Sequence, residues 1–408
     1  MPWELLVNDS RLIKSLKNQL ELEGKFVRPI YRDGDITVVR TSIDDYDEEC
    51  LHRYERFTKR RYHQEIPESA NAVAQCTRKF LEARGEPKQK ELMDSLPLRY
   101  SVYPPLLLFN NSSRSFASKP WQEYFEQHGS ELYFEQLLQQ FPGLTHVAIN
   151  MPIVESDVMR RPFNIRPLHG QFNRDLSAQF WDTPTAQHFQ NTLWCQTIQN
   201  GIQQHWAPMF TMFSRGNVTE KKRILDTFQD IEGNDVVDLY AGIGYFTLSY
   251  LKRGARNCLC FELNPWSTEA LRRGIVANKM DPRTCHIYNE DNVNCIQRIE
   301  QWARTIDGDP RIRHINLGLL PSSKKAWPLA QAIIILQRNC ASPPAVVTMH
   351  IHENVHVNLL NNGSFIQDTI TILSQDSSSS YIARHLEKIK TFAPDVWHIC
   401  LDVDVAPH

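Results

Sequence analysis

No stretch of this sequence approaches the ~18 consecutive apolar residues that a membrane span requires. The longest apolar run, Ala332-Ile333-Ile334-Ile335-Leu336, is bounded by Gln331 and Gln337 and reads as part of a buried helix. The opening residues Met1-Pro2-Trp3-Glu4 lack the charged segment and apolar block of a secretory leader. Nine cysteines, an odd count without any Cys-x-x-Cys pair, argue against a disulfide framework and a zinc ribbon. A reducing, cytoplasmic compartment is expected. The Gly-x-Ser-x-Gly elbow of the serine hydrolases is missing. An excess of charge of one sign is missing too. The formal net charge is −2, so a nucleic-acid partner would have to be held by a local patch rather than by the whole field. What remains is a 408-residue chain with 41% hydrophobic residues, enough for two or three domains with sizeable cores.

The most informative stretch is Val236-Val237-Asp238-Leu239-Tyr240-Ala241-Gly242-Ile243-Gly244-Tyr245-Phe246. Apolar residues and an acid precede a paired-glycine turn, and a helix-forming run follows, so the stretch predicts strand, tight loop and helix start. Glycines at 242 and 244 let the backbone approach a ligand and adopt dihedrals that a Cβ would forbid. The third glycine of the dinucleotide fingerprint is missing, because Thr247 stands there. Asp238, four residues ahead of Gly242, gives the Asp-x-x-x-Gly-x-Gly order typical of enzymes that use S-adenosylmethionine (SAM). The next strand, Cys258 to Phe261, ends in Glu262, about twenty residues on, where a carboxylate grips ribose hydroxyls.

The rest of the chain is read around that loop. Apolar residues at helical spacing predict a helix over Trp3 to Leu22, and Val38-Val39 a short strand. The basic, aromatic segment Arg53 to Tyr62 has two open readings. Lys59, Arg60 and Arg61 could neutralise phosphates while Tyr54, Phe57 or Tyr62 stack on bases. Equally, the segment could be a solvated helix face with Tyr54 and Phe57 turned into a core. Asn110-Asn111-Ser112-Ser113 predicts a loop and His146 to Ile149 a strand. Met159 to Pro167, with Arg160 and Arg161, is a second candidate RNA contact, or else a surface crossover. The polar stretch ending in Ser214-Arg215-Gly216-Asn217 runs into a helix capped by Thr219, with Lys221 in reach of a carboxylate or phosphate. Asn264-Pro265 opens another helix, which runs to about Lys279. Cys285 to Tyr288 is a third strand, closed by Asn289-Glu290-Asp291-Asn292; an acid at this strand end is where a SAM-type fold binds the adenine amino group. Strands over His314 to Leu319, Ala345 to His352 and Val396 to Val403 follow. Ser374 to Ser380 predicts a flexible loop and Tyr381 to Phe392 an amphipathic helix. The histidines His350, His352 and His356 have no supporting acid or cysteine cluster, so no metal is expected. Three regions are expected: 1–135 accessory and RNA-binding, 136–205 linking, and 206–408 catalytic.

Five strings together carry a resemblance. They are Met212 to Lys221, Asp238 to Thr247, Glu262-Leu263-Asn264-Pro265, Asn316-Leu317-Gly318-Leu319-Leu320-Pro321-Ser322-Ser323 and His352-Glu353-Asn354-Val355. Over about residues 145 to 408 the chain resembles the tRNA wybutosine-synthesising protein 2 family in its fungal form, and the Asn-Leu-Gly-Leu-x-Pro-Ser-Ser string is its most specific mark. The resemblance implies a class I SAM-binding, Rossmann-like α/β fold with a doubly wound sheet, preceded by an N-terminal α+β accessory domain. It implies transfer of the 3-amino-3-carboxypropyl group of SAM onto 4-demethylwyosine beside the anticodon of tRNA(Phe), with release of methylthioadenosine. Ser214 and Lys221 are then cofactor contacts, Glu262 holds the ribose, and Asp291 with Asn292 holds the adenine. The loop residues Asp238, Gly242 and Gly244 complete the expected cofactor set. Asn316, Pro321 and Arg215 are the candidates for the catalytic centre. A monomer that docks the tRNA anticodon stem-loop is expected.

A sulfonium has three electrophilic carbons, and orientation decides which one meets the nucleophile. Lys221 or Arg215 could neutralise the carboxylate of the migrating group. Amino-group methyltransferases usually carry Asn/Asp-Pro-Pro-Tyr/Phe after the fourth strand, whereas Asn316 is followed by Leu317-Gly318. The rival readings are a tRNA guanine-N1 methyltransferase on the same scaffold and a non-catalytic RNA-binding protein. A nicotinamide dehydrogenase, weakened by the missing third glycine, is more distant.

Overall fold

The computed structural model describes residues 3–23, 25–43, 52–61, 71–153, 157–172, 178–340, 346–376 and 378–407. Its contacts divide the chain into two compact units, Met1–Met93 and Asp94–His408. No helix among the described residues is long and apolar enough to cross a membrane.

The first unit holds a four-stranded antiparallel sheet of β1 (Trp3–Val7), β2 (Phe26–Asp33), β3 (Ile36–Thr41) and β4 (Thr58–Arg61), in the order β2-β3-β1-β4. The helix Ile13–Leu22 packs Leu16 and Leu20 against Leu5, Val7 and Val39. The helix expected from Trp3 onward is therefore only half present. Residues 3–7 have partners on both sides, in β3 and β4, and that pairing overrides their helical spacing. The basic segment is not a helix face either. Tyr54 and Phe57 are buried in this core, while Thr58–Arg61 forms an edge strand. Tyr62 lies outside the described residues.

The second unit opens with the sheet β5 (Tyr100–Tyr103), β6 (Leu106–Phe109), β7 (His146–Ile149) and β8 (Arg166–His169), followed by the hairpin β9 (Cys195–Gln199) and β10 (Ile202–Trp206). The main sheet has seven strands: β11 (Asp235–Asp238), β12 (Asn257–Phe261), β13 (Cys285–Tyr288), β14 (Ile312–Leu317), β15 (Val347–His356), β16 (Ser379–Ala393) and β17 (Val396–Pro407). Their order is β13-β12-β11-β14-β15-β17-β16; β11 to β15 run parallel, and β17 is antiparallel to both of its neighbours. The chain winds outward from β11 to β13, then crosses back to β14. The resulting switch point between β11 and β14 is where an open α/β sheet binds ligands, beyond the carboxyl ends of the strands. This is the doubly wound α/β architecture expected from the sequence.

Both faces of the sheet are covered, as parallel strands require. Val236, Cys258 and Cys260 pack with Ile224, Leu248, Tyr250 and Leu271 from the helices Val218–Thr227, Thr247–Lys252 and Pro265–Ala277. On the opposite face, Val237, Leu259, Ile315, Met349 and Leu401 meet Ile299, Trp302, Trp327 and Ile333. Each fully buried valine, leucine or isoleucine contributes about 1.5–3 kcal/mol.

The largest correction concerns residues 379–393, which form a 15-residue strand where an amphipathic helix over Tyr381 to Phe392 was expected. Register shifts at Ala383/His385 and Lys388/Lys390 break the period-two alternation. Ile382, Leu386 and Ile389 are left at the i, i+4, i+7 spacing of a helix. The serine-rich run before it is a turn over residues 374–376 as expected, but the strand starts at its end, where Ser379 pairs with Pro407. Ser377 and Ala345 lie outside the described residues.

Candidate cofactor and substrate site

At the end of β11 the chain turns through Gly242 (φ 55°) and Gly244 (φ 84°), both in the left-handed region. A Cβ on Gly244 would lie 2.5 Å from Leu271 Cδ1, so the loop can sit this close to the helix Pro265–Ala277 only with glycine there. Asp238 fixes the loop from below. Its carboxylate accepts hydrogen bonds from Thr247 Oγ1 (2.8 Å), Asn316 Nδ2 (3.0 Å) and the Tyr240 N–H (3.3 Å), and it is 1% exposed. Expected among the cofactor contacts, Asp238 is instead committed inward, tying β11, the loop and the end of β14 together. Thr247, which stands at the missing third glycine, supplies one of those ties.

Glu262, at the end of β12, reaches back to the loop. Oε2 accepts the Gly242 N–H at 2.9 Å and Oε1 the Asn264 N–H at 2.8 Å. Burial pushes its carboxyl up to about 7, against the pull of those two N–H donors. Asn289 at the end of β13 donates to the carbonyls of Glu262 and Leu263, both at 2.9 Å, which joins the two strand ends. Asn292 donates to the Leu239 carbonyl at 3.0 Å, beside an exposed Asp291 and an exposed Val293. Glycine loop, Glu262 and Asp291-Asn292 thus follow one another along the carboxyl edges of β11, β12 and β13.

The stretch before the helix Val218–Thr227 closes the other side. Trp206 stacks on Phe213 (4.2 Å between centroids) and Phe210 on Trp266 (3.9 Å), which seats residues 206–213 on an aromatic layer. The Tyr245 hydroxyl, from the glycine loop, donates to the Met212 carbonyl at 2.5 Å and accepts the Ser214 N–H at 3.1 Å. Asn217 stands at the helix boundary, while Thr219, the expected cap, lies inside the first turn. Lys221 is 2% exposed, and its ammonium donates to Gln199 Oε1 at 2.8 Å and to Gln204 Oε1. Burial, and then the nearby Lys390, bring its pKa down to about 7.

The loop after β14 is held by β15. Glu353 accepts hydrogen bonds from Ser322 Oγ (3.0 Å), the Ser323 N–H (2.7 Å) and Ser323 Oγ (3.1 Å), and the Asn354 N–H donates to the Pro321 carbonyl at 2.8 Å. Two separated strings of the sequence, 316–323 and 352–355, are therefore one structural device. Asn316 Oδ1 and the side-chain amide of Asn354 are buried without hydrogen-bond partners among the described residues. Unsatisfied buried amides at a ligand-facing edge are poised to bond an incoming polar group.

The family model described as the TRM5/TYW2 methyltransferase domain matches residues 197–315. The tRNA wybutosine-synthesizing protein 2 of Saccharomyces cerevisiae is 44% identical, with 99% of this chain and 98% of that protein covered. Its namesake in Schizosaccharomyces pombe is 37% identical over 76% of this chain and 73% of that one. The chain belongs to the tRNA wybutosine-synthesizing protein 2 family. A crystal structure of Pyrococcus horikoshii TYW2 in complex with MeSAdo, 21% identical, matches in fold with a TM-score of 0.54 over 82% of this chain and 99% of that one.

Within this family frame the residues expected to bind RNA separate. Arg160 is half-buried at φ 53°, and its guanidinium donates to the Leu320 carbonyl, so it lies at the loop after β14 and not on a free surface. A non-glycine residue held in the left-handed region is a feature that functional sites retain. Arg161 is committed to Asp157 and Asp182, both at 2.8 Å. Arg60 is likewise engaged, with Glu4 at 3.0 Å and Asp33 at 2.8 Å. Lys59 and Arg61 lie on the edge strand β4, where the Arg61 guanidinium sits 5.0 Å from the Trp3 ring. Arg215 is exposed and donates to Ser101 Oγ at 3.1 Å.

The histidines His350 and His352 are buried on β15 and His356 is exposed at its end. His350 lies 2.7 Å from Asp402 and 3.0 Å from His314, and His352 lies 3.0 Å from His398. Glu220, His352 and Cys400 bring potential ligand atoms within 4.8 Å of one another, but both Glu220 oxygens already accept from Arg223. A cavity of about 720 Å³ beside this network is lined by paired charges, among them Arg223, Asp402, Arg384 and Asp404, and by no glycine-loop residue. Sequence reasoning missed Tyr245, Glu353, Asn354 and Lys390 as site residues. The first three sit inside strings already singled out; Lys390 had no local signal.

Proposed function

We propose that this enzyme transfers the 3-amino-3-carboxypropyl group of SAM to 4-demethylwyosine, the base beside the anticodon of tRNA(Phe), releasing methylthioadenosine. The observation that carries the reading is kinship over the whole chain with a protein named for wybutosine synthesis, joined to a glycine loop, Glu262 and Asp291-Asn292 set along the strand ends at the switch point. The residues fit the donor. Two positive-φ glycines leave room for a close approach, Glu262 keeps lone pairs for ribose hydroxyls, and Asp291-Asn292 with Val293 offers polar and apolar contacts to a purine. Bound there, SAM would supply an electrophilic carbon on a sulfonium; methylthioadenosine would leave with the C–S bonding pair, and the proton of the ring carbon that gains the new bond would pass to solvent.

What the chain must do is orientation. Lys221 and Ser214 fix the amino-acid arm, and the Tyr245 hydroxyl holds Ser214 against the glycine loop. Asn316 Oδ1 and the Asn354 amide, buried and unpaired near the carboxyl ends of β14 and β15, are the polar groups that would receive the base. Arg160, beside the Leu320 carbonyl, suits a phosphate or base oxygen at that mouth. Pro321 contributes through its carbonyl, held by Asn354, rather than by any reactive group. Lys59 and Arg61, in the accessory region 1–135, would add grip on the RNA backbone. A cytoplasmic site of action and a monomeric enzyme belong to the same proposal.

The test is the nucleoside by-product of a reaction with tRNA(Phe) carrying the 4-demethylwyosine intermediate. Methylthioadenosine supports the proposal. S-adenosylhomocysteine would make this a methyltransferase on the same fold, the reading that the TRM5 half of the family model keeps in view.

A further inference from the structure

Lys390 lies on β16, opposite His398 of β17, which in turn pairs with Asn354 of β15. This part of the edge hairpin therefore reaches the ligand end of the sheet. The Lys390 ammonium donates to Ser214 Oγ at 3.1 Å. Its stem crosses Gly216 so closely that a Cβ there would fall 2.4 Å from Lys390 Cδ. Glycine at 216 thus makes the path by which a lysine from the far edge strand enters the site.

The two ammonium groups lie near enough to repel one another. Lys221 is hydrogen-bonded only to neutral glutamine oxygens, and Lys390 to a hydroxyl. Among the described residues no carboxylate pairs with either one. The nearby carboxylates Glu220 and Asp402 are both taken by Arg223. Two cations without a paired carboxylate, beside one serine and the start of a helix, make a seat for an anion, and burial strengthens it.

Building on the proposed function, we infer that Lys390 and Lys221 together hold the α-carboxylate of the donor's amino-acid arm, making Lys390 a determinant of donor choice and of which sulfonium arm is presented. The depressed pKa of Lys390, caused by burial, agrees with a cation that has given up water without gaining a counter-ion. A carboxylate anchored from two sides, by the helix Val218–Thr227 and by β16, would restrict the orientation of the amino-acid arm.

The experiment measures binding of SAM, decarboxylated SAM and methylthioadenosine to the full-length enzyme. Methylthioadenosine keeps the nucleoside and sulfur but lacks the carboxylate. Lys390→Met keeps the stem and removes the charge. It is expected to weaken SAM by about tenfold or more, the loss that goes with a charge-assisted hydrogen bond, and to leave methylthioadenosine within about twofold. Its preference for SAM over decarboxylated SAM should shrink by the same factor. Gly216→Ala, which displaces Lys390 without changing it, should lower SAM affinity selectively as well, and keeps the test alive if the first variant folds poorly. Equal weakening of SAM and methylthioadenosine, or unchanged SAM affinity, would overturn the inference. Wild-type enzyme that binds neither SAM nor methylthioadenosine would instead overturn the proposed function on which the inference rests.

Discussion

The Glu262 carboxyl gives nucleoside binding a pH dependence whose sign and size follow from the structure. In the free chain it sits at about 7, against an ordinary 4.5, because burial disfavours the charge. Below pH 7 the free carboxyl therefore carries its proton. Ribose hydroxyls donate hydrogen bonds and favour the ionised form, so binding lowers the pKa and releases the proton. Affinity should rise with pH and level off above about 7. With a pKa near 7, roughly one free molecule in eleven is ionised at pH 6 and ten in eleven at pH 8, a difference of about tenfold in affinity. Methylthioadenosine is the ligand to use, since it lacks the carboxylate that would couple to Lys221. Titration calorimetry in buffers of different ionisation enthalpy reads both the affinity and the protons released. Glu262→Gln should flatten the profile. An amide has one acceptor oxygen for the two N–H donors of Gly242 and Asn264, so it leaves one of them facing an NH2 group, a cost of about 1.5–3 kcal/mol. A flat profile between pH 6 and 8 in the wild type, or an unchanged slope in the variant, would refute the reasoning.

Other substitutions separate the loop's architecture from its chemistry. Asp238→Ala removes three hydrogen bonds from a buried carboxylate, leaving Asn316 Nδ2 unpaired and Thr247 Oγ1 with only the Cys260 thiol. Thermal denaturation should show a loss of about 2–4 kcal/mol, and an unchanged melting temperature would deny its inward role. Glu353→Ala removes the one oxygen that accepts from Ser322 and Ser323, so turnover should fall at least about tenfold while methylthioadenosine affinity stays within about twofold, because the defect lies beyond the nucleoside. Arg160→Ala is expected to lower turnover on tRNA. Arg60→Ala should mainly lower the melting temperature, by releasing the buried Glu4, with little change in the salt dependence of tRNA binding; a markedly shallower salt slope for Arg60→Ala would return that residue to the RNA surface.

The nucleotide-binding half of the fold was legible because its signals are short-range. Asp238, Gly242, Gly244 and Glu262 fall within 25 residues, and the strand ends they mark are set by local apolar runs. Cooperation across the chain was harder to read. Nothing near residue 316 says that Glu353 will bind the serines that follow, although the two strings were both visible. The strand Ser379–Ala393 was hidden by its own irregularity, since two register shifts turn a strand's alternation into an apparent helical spacing. With it went Lys390, whose place beside Ser214 depends on a hairpin reaching from the far edge of the sheet. The basic segment was hard to read for another reason. Composition reports that arginines are present, but not that Glu4, Asp33, Asp157 and Asp182 will neutralise Arg60 and Arg161.

The central claim is that the aminocarboxypropyl arm, and not the methyl, leaves the sulfonium. Its most direct test is a paired label-transfer assay on tRNA(Phe) bearing the 4-demethylwyosine intermediate. One reaction uses SAM labelled in the carboxyl carbon and the other SAM labelled in the methyl. Carboxyl label should enter the RNA while methyl label leaves as methylthioadenosine. Methyl label in the RNA, with carboxyl label left in S-adenosylhomocysteine, would contradict the claim.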